Sequence, residues 1–219
     1  MRICIPLSTE GRFDMEEVLL FGGAFNPVTI AHIEDADFAR KTLGLTHVIF
    51  MPSKSHYILN EEKKDFSFSE EARLKMLKES SSSRPWMLVD DYELSQKEQS
   101  RTYFTLKHLK EEGFQARLLF GSDWIKNLKA KWKYIDEIGK EFSFVVMKRN
   151  GDDLDRIFDS DSYLKERRKY FTFLDTPKEY QDISSSKVRL LLKEGKMEEA
   201  RKYLPGEVYL YLKKKGDSL

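Results

Sequence analysis

Residues 18–32 of the chain read VLLFGGAFNPVTIAH. The first four residues form a continuous apolar run, which is typical of a strand that is buried on both faces. A pair of glycines ends this run, and apolar residues then recur with helical spacing over residues 30–43. A buried strand that leads directly into a helix is the repeating unit of a parallel α/β sheet, so this stretch indicates the fold class.

The same alternation continues along the rest of the chain. The sequence predicts strands at residues 47–51, 86–89, 116–120, 142–147 and 170–174, and helices at residues 69–80, 102–112 and 184–193. It therefore predicts an α/β fold of the Rossmann-like, doubly wound type, with a mainly parallel sheet and helices on both faces. We expect residues 1–17 to be an N-terminal extension and residues 18–219 to be a single domain, with a helical C-terminal portion from about residue 183.

Composition excludes several classes of protein. The chain has 219 residues, a net charge of +1 and short basic runs with acidic neighbours, which argues against a nucleic-acid-binding protein. Its single cysteine, Cys4, cannot form an intramolecular disulfide, and no zinc-binding spacing is present. The apolar runs are too short to span a bilayer, and the N-terminus lacks the pattern of a signal peptide. These features predict a cytoplasmic protein with neither a nucleic-acid nor a membrane partner.

The glycine pair, Gly22 and Gly23, opens a candidate phosphate site. The segment matches neither the P-loop nor the dinucleotide-binding fingerprint. Its glycines allow close approach of backbone to a ligand, and the helix that follows presents free N–H groups at its positive end. Thr29 and His32 lie three residues apart on one helical face, where both can reach the same anion. The alternative is a plain turn followed by a structural histidine.

A second candidate phosphate site lies at Ile183-Ser184-Ser185-Ser186-Lys187-Val188-Arg189. Serines at the start of a helix offer hydroxyls and N–H groups to an anion. Arg189 follows about one turn later as a permanent cation with several donors. The alternative is a serine-capped helix with a surface arginine.

Together these motifs resemble those of the nucleotidyltransferase superfamily that carries an H-x-G-H or T-x-x-H motif. Within it, the chain is most similar to nicotinate-nucleotide and nicotinamide-nucleotide adenylyltransferases, over roughly residues 18–212. The resemblance implies catalytic roles for His32 and Arg189, and ATP as co-substrate with Mg²⁺. It implies ATP binding by Gly22, Gly23, Ala24, Phe25, Thr29, His32, Gly121, Asp123, Ile183, Ser184, Ser185, Ser186 and Arg189. Thr29 and Ala31 stand where many bacterial members have histidine and glycine.

The resemblance also implies a site for the acceptor, a pyridine mononucleotide. Residues 100–106 are similar to a family segment in which the start of a helix holds the pyridine carboxylate, and Arg101 replaces the usual tyrosine. The substrate-binding residues implied are Phe25, Asn26, Thr102, Thr105 and Trp132. Trp132 is expected to stack on the pyridinium, or else to be a half-buried core residue. Because a helix N-terminus suits a carboxylate, the sequence favours nicotinate over nicotinamide mononucleotide.

Several points stay open at the level of sequence. Residues 53–65 form a basic segment that aligns poorly with the family, and Lys54, His56, Lys63 and Lys64 are all candidates to cover the phosphates. His47 and His108 lack a motif context and are interpreted as structural or exposed. Another acceptor, such as phosphopantetheine or a phosphoalcohol, and a non-catalytic nucleotide-binding module are the competing interpretations. The sequence is compatible with a homo-oligomer but does not determine one.

Overall fold

The computed structural model describes residues 15–63, 66–128, 132–149 and 151–215. The strands are β1 (Glu16–Gly23), β2 (His47–Pro52), β3 (Met87–Val89), β4 (Phe114–Gly121), β5 (Phe144–Lys148) and β6 (Phe171–Asp175). The α-helices are α1 (Ile30–Thr42), α2 (Ser55–Asn60), α3 (Glu70–Ser81), α4 (Tyr92–Ser95), α5 (Thr102–Glu111), α6 (Ile135–Glu141), α7 (Leu154–Ser160), α8 (Ser162–Arg167), α9 (Ser185–Lys193), α10 (Met197–Ala200) and α11 (Gly206–Lys215). Short 3₁₀ helices lie at Ser122–Asn127, Arg168–Tyr170, Lys178–Tyr180 and Arg201–Tyr203.

The six strands form one sheet in the order β3-β2-β1-β4-β5-β6, and every pairing is parallel. This order reverses direction between β1 and β4, which is the topological switch point of a doubly wound sheet. The predicted fold class is confirmed. The switch point places the end of β1, at Gly23, beside the end of β4, at Gly121.

The sheet has an apolar core on each face. Leu19 of β1 belongs to a cluster with residues of α1, α3 and α11, whereas its neighbours Val18 and Leu20 belong to a second cluster with residues of α5 and α6. All three are at most 1% exposed. Alternate residues of β1 therefore point into opposite cores, which explains why the sequence of this strand is apolar without a polar face.

The boundaries differ from the predicted ones in two informative places. Strand β1 begins at Glu16, because Glu16 and Glu17 still pair with Phe114 and Gln115 of β4. Helix α2 lies inside the basic segment 53–65, where the sequence predicted no regular element. Residues 1–14 of the predicted extension, including Cys4, and residues 64 and 65 lie outside the described residues. In the described ranges, no helix has the combination of length and apolarity needed to cross a bilayer.

Candidate active site at the switch point

The loop that joins β1 to α1, residues 24–29, is held in place by a buried arginine of α3. Arg73 of α3 is 0% exposed. Its guanidinium donates to the carbonyl oxygens of Ala24 (2.8 Å), Ser53 (2.6 Å) and Phe68 (3.2 Å). Burial lowers the pKa of Arg73 to about 10. Arg73 thus ties the loop to the end of β2, and the sequence interpretation missed it, although its place beside Met76 and Leu77 on the apolar stripe of α3 is a usable signal.

Packing inside the protein does not account for the glycine pair. A Cβ atom at Gly22 would meet nothing within 4 Å, and one at Gly23 would meet only the Phe25 ring at 3.5 Å. Phe25 itself has a positive φ of 42° and is 2% exposed. Its ring packs on those of Phe21 and His32, with centroids 5.3 and 5.4 Å away. The Phe25 side chain therefore shapes the loop and supports His32 from inside the core.

Asn26 is used internally. It is 0% exposed, its Nδ2 donates to the carbonyl of Phe66 at 2.7 Å, and its Oδ1 accepts from the N–H of Phe68 at 2.9 Å. Both ends of the side-chain amide are thus occupied by the backbone of residues 66–68. The side-chain amide therefore clamps two loops together, and substrate binding by Asn26 stays a prediction.

Thr29 and His32 form a capping pair at the start of α1. The backbone N–H of Thr29 donates to Nδ1 of His32 at 3.0 Å, and the Thr29 hydroxyl lies 2.7 Å from the same atom. A backbone N–H can only donate, so neutral His32 carries its hydrogen on Nε2. Thr29 is 0% exposed, whereas His32 is half-buried. The two side chains lie close together, as their spacing on one helical face led us to expect. The Thr29 hydroxyl faces His32, and contact of Thr29 with phosphate stays a prediction.

The second motif docks onto the same loop. The Arg189 guanidinium donates to the carbonyl of Asn26 at 3.0 Å, across 163 residues of sequence, and the Ser185 hydroxyl donates to the carbonyl of Pro27 at 2.9 Å. Ser184 caps α9, with its Oγ accepting from the N–H of Lys187 at 3.2 Å. The two candidate phosphate motifs therefore converge at one edge of the sheet.

The hydroxyls of this second motif are already engaged. Ser184 caps the helix, Ser185 binds Pro27, and the Ser186 hydroxyl accepts from Arg189 at 3.2 Å. The backbone N–H groups in the first turn of α9 still point out of the helix start, as such groups do at any helix N-terminus. The backbone N–H groups and the positive charge of Arg189, more than the serine hydroxyls, are therefore the features of this segment that would favour an anion.

A cavity of about 490 Å³ lies beside the start of α9, beyond the ends of β4 and β5. It is lined by Ser122, Asp123, Arg149, Asp152, Ile157, Gln181, Asp182, Ile183 and Ser184. Asp123 is exposed within the 3₁₀ helix that follows β4, and the N-cap position of that helix is Gly121. Asp123 therefore does not cap this helix. A Cβ at Gly121 would come within 2.5 Å of the Asp123 carboxylate, so glycine is needed here for Asp123 to adopt this position.

Arg149 and Asp35 were missed by the sequence interpretation. Arg149 follows β5 and lines the cavity, and its Nη2 lies 3.4 Å from the carboxylate of Asp35 on α1. Burial raises the pKa of Asp35 to about 6, against the opposing effect of Arg149. Residue type alone provides no signal for this pair, because 114 residues separate its members.

The predicted acceptor residues lie around the start of α5. Thr102 is half-buried at the first turn, whereas Thr105 is 1% exposed and its hydroxyl donates to the buried Glu93 at 2.8 Å. The Thr105 side chain therefore contacts Glu93, and the expected role of Thr105 in acceptor binding stays a prediction. Burial raises the pKa of Glu93 to about 7.

Trp132 packs against aromatic side chains of the core. Its ring centroid lies 5.0 Å from that of Phe120 and 6.0 Å from that of Phe144. This is the arrangement of a half-buried core tryptophan, and stacking on a pyridine ring stays a prediction.

The remaining basic candidates are distributed around α2. The Lys54 ammonium donates to the carbonyl of Leu94 at 2.8 Å, and His56 lies 3.5 Å from the carboxylate of Glu98. Lys63 is exposed, and Lys64 lies outside the described residues. The other two histidines make structural contacts, as expected. Nδ1 of His47 lies 2.5 Å from Oε1 of Glu16, and the His108 ring stacks on that of Tyr92 with centroids 3.7 Å apart.

Known proteins resemble this chain over most of its length. A family model described as cytidylyltransferase-like matches residues 20–191. A probable nicotinate-nucleotide adenylyltransferase of Clostridium botulinum (strain Okra) is 35% identical over 198 residues, which is 88% of this chain and 94% of that protein. The corresponding protein of Clostridium tetani is 30% identical over 92% of this chain and 98% of its own length.

A similar fold occurs in a solved structure. Plasmodium falciparum nicotinic acid mononucleotide adenylyltransferase complexed with NaAD superposes with a TM-score of 0.71 at 22% identity, covering 91% of this chain and 95% of that one. The family model and the identity to these relatives show that the chain belongs to the nicotinate-nucleotide adenylyltransferase family of cytidylyltransferase-like proteins.

Proposed function

We propose that the protein transfers the adenylyl group of ATP to the phosphate of nicotinate mononucleotide and releases pyrophosphate. The observation that carries the proposal is the convergence of the His32 and Arg189 motifs on residues 24–29, through the bonds of Ser185 and Arg189 to the carbonyls of Pro27 and Asn26. Membership of the family, whose curated relatives carry this activity in their names, supports the same reaction.

In the proposed reaction, an oxygen of the mononucleotide phosphate attacks the α-phosphorus of ATP. The bond from that phosphorus to the oxygen bridging to the β-phosphorus breaks, and pyrophosphate leaves with the electron pair. A phosphate monoester is already largely dianionic near neutral pH, so the attack needs no general base. Catalysis then consists of positioning and charge stabilisation.

His32 and Arg189 would supply that stabilisation. Because Nδ1 of His32 accepts from the Thr29 N–H, Nε2–H is the donor that His32 can offer to a phosphate oxygen. Arg189 and the first turn of α9 add a permanent cation and backbone donors next to the same loop. The buried Arg73 places a further positive charge beneath residues 24–29.

Mg²⁺ would be held mainly by the phosphates of ATP and by water. Within the described ranges, no three His, Cys, Asp or Glu side chains are grouped closely enough to hold a metal ion. Mg²⁺ usually keeps several waters and binds through substrate phosphates instead of an all-protein cage. When bound, the ion neutralises charge on the phosphate oxygens.

The cavity beyond β4 and β5 is the proposed site of the nucleoside part of ATP. Its lining combines the Asp123 carboxylate, which can accept from ribose hydroxyls, with Gln181 and Arg149, which offer donors. The start of α5 is the proposed site of the pyridine carboxylate, with backbone N–H groups of its first turn as donors.

The first experiment measures pyrophosphate release with ATP and each candidate acceptor in turn. We expect turnover with nicotinate mononucleotide to exceed that with nicotinamide mononucleotide and with phosphopantetheine. Preference for phosphopantetheine would replace the acceptor, and binding of ATP without any pyrophosphate release would favour a non-catalytic module.

The second experiment replaces His32 with alanine. Loss of a donor to the transition state should lower turnover by about 10²-fold or more. His47→Ala is the matched control, because His47 lies at the start of β2, the end away from the proposed site, where it pairs with Glu16. This variant should retain the wild-type rate. A His32→Ala enzyme as fast as the control would contradict the proposed mechanism.

A further inference from the structure

Asp35 is a carboxylate in a position that packing alone would give to an apolar residue. It lies on α1, three residues after His32 in the sequence, and it is 2% exposed. The other buried residues of this helix are Ala31, Ile33, Ala36 and Ala39. An unneutralised carboxylate among them opposes folding, so the fold by itself does not explain why Asp35 is acidic.

The contact that Asp35 makes is a loose one. Its Oδ2 lies 3.4 Å from Nη2 of Arg149. Within the described ranges, neither Oδ1 of Asp35 nor Nε of Arg149 has a hydrogen-bond partner, although both atoms are buried. Glu34 and Tyr180 are the other titratable groups that face Asp35, and the former raises the pKa of Asp35 further. The pair is thus poorly satisfied as an internal ion pair.

Arg149 connects Asp35 to the cavity. Its side chain is 27% exposed, and the residue lines the cavity together with Ser122 and Asp152. The Ser122 hydroxyl accepts from the Arg149 N–H at 3.3 Å and donates to Asp152 at 2.5 Å, which fixes the backbone there. The guanidinium therefore runs from the buried carboxylate to the cavity wall.

We propose that Asp35 is a positioning residue that holds the Arg149 guanidinium at the wall of this cavity, where Arg149 contacts the nucleoside part of ATP. This inference rests on the proposed adenylyl transfer, since it takes ATP as the occupant. Asp35 acts through Arg149 and does not touch ATP itself. On this proposal, a carboxylate is present at this buried position because the ionised Asp35 orients the Arg149 guanidinium.

The test compares Asp35→Asn, Arg149→Gln and the double variant, using calorimetric binding of α,β-methylene ATP, which cannot be cleaved at the reacting bond. We expect each single variant to weaken binding by about tenfold, the scale of one charge-assisted hydrogen bond. The double variant should bind no more weakly than Arg149→Gln alone, because Asp35 acts through Arg149. Asp35→Asn should not lower Tm, since it removes a buried charge.

Asp37→Asn is the matched control. It makes the same chemical change on the same helix, but Asp37 pairs with Arg40 and Lys41 on the outer side. The control should bind the analogue as the wild type does. Unchanged binding by Asp35→Asn, or a further loss on adding it to Arg149→Gln, would overturn the proposal.

A pH series gives a readout that needs no change at the buried position. As pH falls through about 6, protonation of Asp35 should release Arg149, so the wild type should approach Arg149→Gln in affinity. Protonation of the analogue affects both proteins equally and cancels in the ratio. A ratio of the dissociation constants of Arg149→Gln and the wild type that stays constant between about pH 5 and 7.5 would overturn the proposal.

The binding assay does not depend on turnover, so absence of pyrophosphate release in the wild type would refute only the proposed reaction.

Discussion

Replacement of Arg73 by methionine should destabilise the protein by about 3 kcal/mol. The change removes the donors of three carbonyl groups, those of Ala24, Ser53 and Phe68. The Phe68 carbonyl keeps the Ser67 hydroxyl as a donor at 2.9 Å, so the carbonyls of Ala24 and Ser53 are the two left unsatisfied. At up to about 3 kcal/mol for each unsatisfied buried acceptor, the gross loss is about 6 kcal/mol. The shift of the Arg73 pKa to about 10 corresponds to a burial cost of roughly 3 kcal/mol, which the neutral side chain avoids.

The assay is urea unfolding of purified variants. Arg73→Lys separates charge from geometry, because an ammonium keeps the positive charge but cannot reproduce the planar fork that spans three carbonyls. It should therefore also destabilise, by about 2 kcal/mol. Arg156→Met is the matched control, since the Arg156 side chain is exposed, and it should change stability by less than about 0.5 kcal/mol.

The result that would refute the reasoning is a loss below about 1 kcal/mol for Arg73→Met. It would mean that the three carbonyls find other donors or water when the guanidinium is removed. A stable Arg73→Met protein with normal affinity for ATP would further show that residues 24–29 keep their shape without this support.

Two further predictions concern buried groups near the site. Burial raises the pKa of Glu93 from 4.5 to about 7, so its contribution to stability is fully present below about pH 4.5 and is lost as pH rises through 7. In the wild type, the free energy of unfolding should therefore fall by about 3 kcal/mol more between pH 4.5 and 7 than in Glu93→Gln. Urea unfolding at a series of pH values measures this, and parallel plots of unfolding free energy against pH for the two proteins would contradict it. Thr29→Val removes the hydroxyl that contacts Nδ1 of His32 and should lower turnover about five- to tenfold. Thr29→Ser keeps a hydroxyl there and should keep the wild-type turnover. Equal rates for the valine and serine variants would show that the hydroxyl does not orient His32.

Local features of the chain were predictable because they depend on neighbours in sequence. The apolar run before Gly22 predicts a doubly buried strand, and the i, i+3 spacing of Thr29 and His32 predicts that they share one helical face. The structure brings the two side chains within 2.7 Å of each other. The serine motif likewise predicts a capped helix, and Ser184 caps α9. The boundary of β1 was less predictable, because Glu16 and Glu17 belong to the strand only through pairing with β4.

Tertiary packing decided which residues of the motifs are exposed and which are buried. Thr29 and His32 look equivalent in sequence, yet Thr29 is 0% exposed and serves His32. Thr105 matches a motif but points at Glu93 from within the fold. A helix spacing specifies which side chains are adjacent, whereas their exposure depends on the other elements that cover them.

The sequence by itself determined the parallel α/β sheet, the family and the two motifs that meet at its edge, because alternating apolar periods and helix starts are local properties of the chain. Only the tertiary structure decided that Arg73 supports residues 24–29 and that Asp35 reaches Arg149. These contacts join residues 49 and 114 positions apart, and no local pattern encodes them. Their physical cause is burial: once the chain is folded, a charged group removed from water must find partners wherever the fold places them.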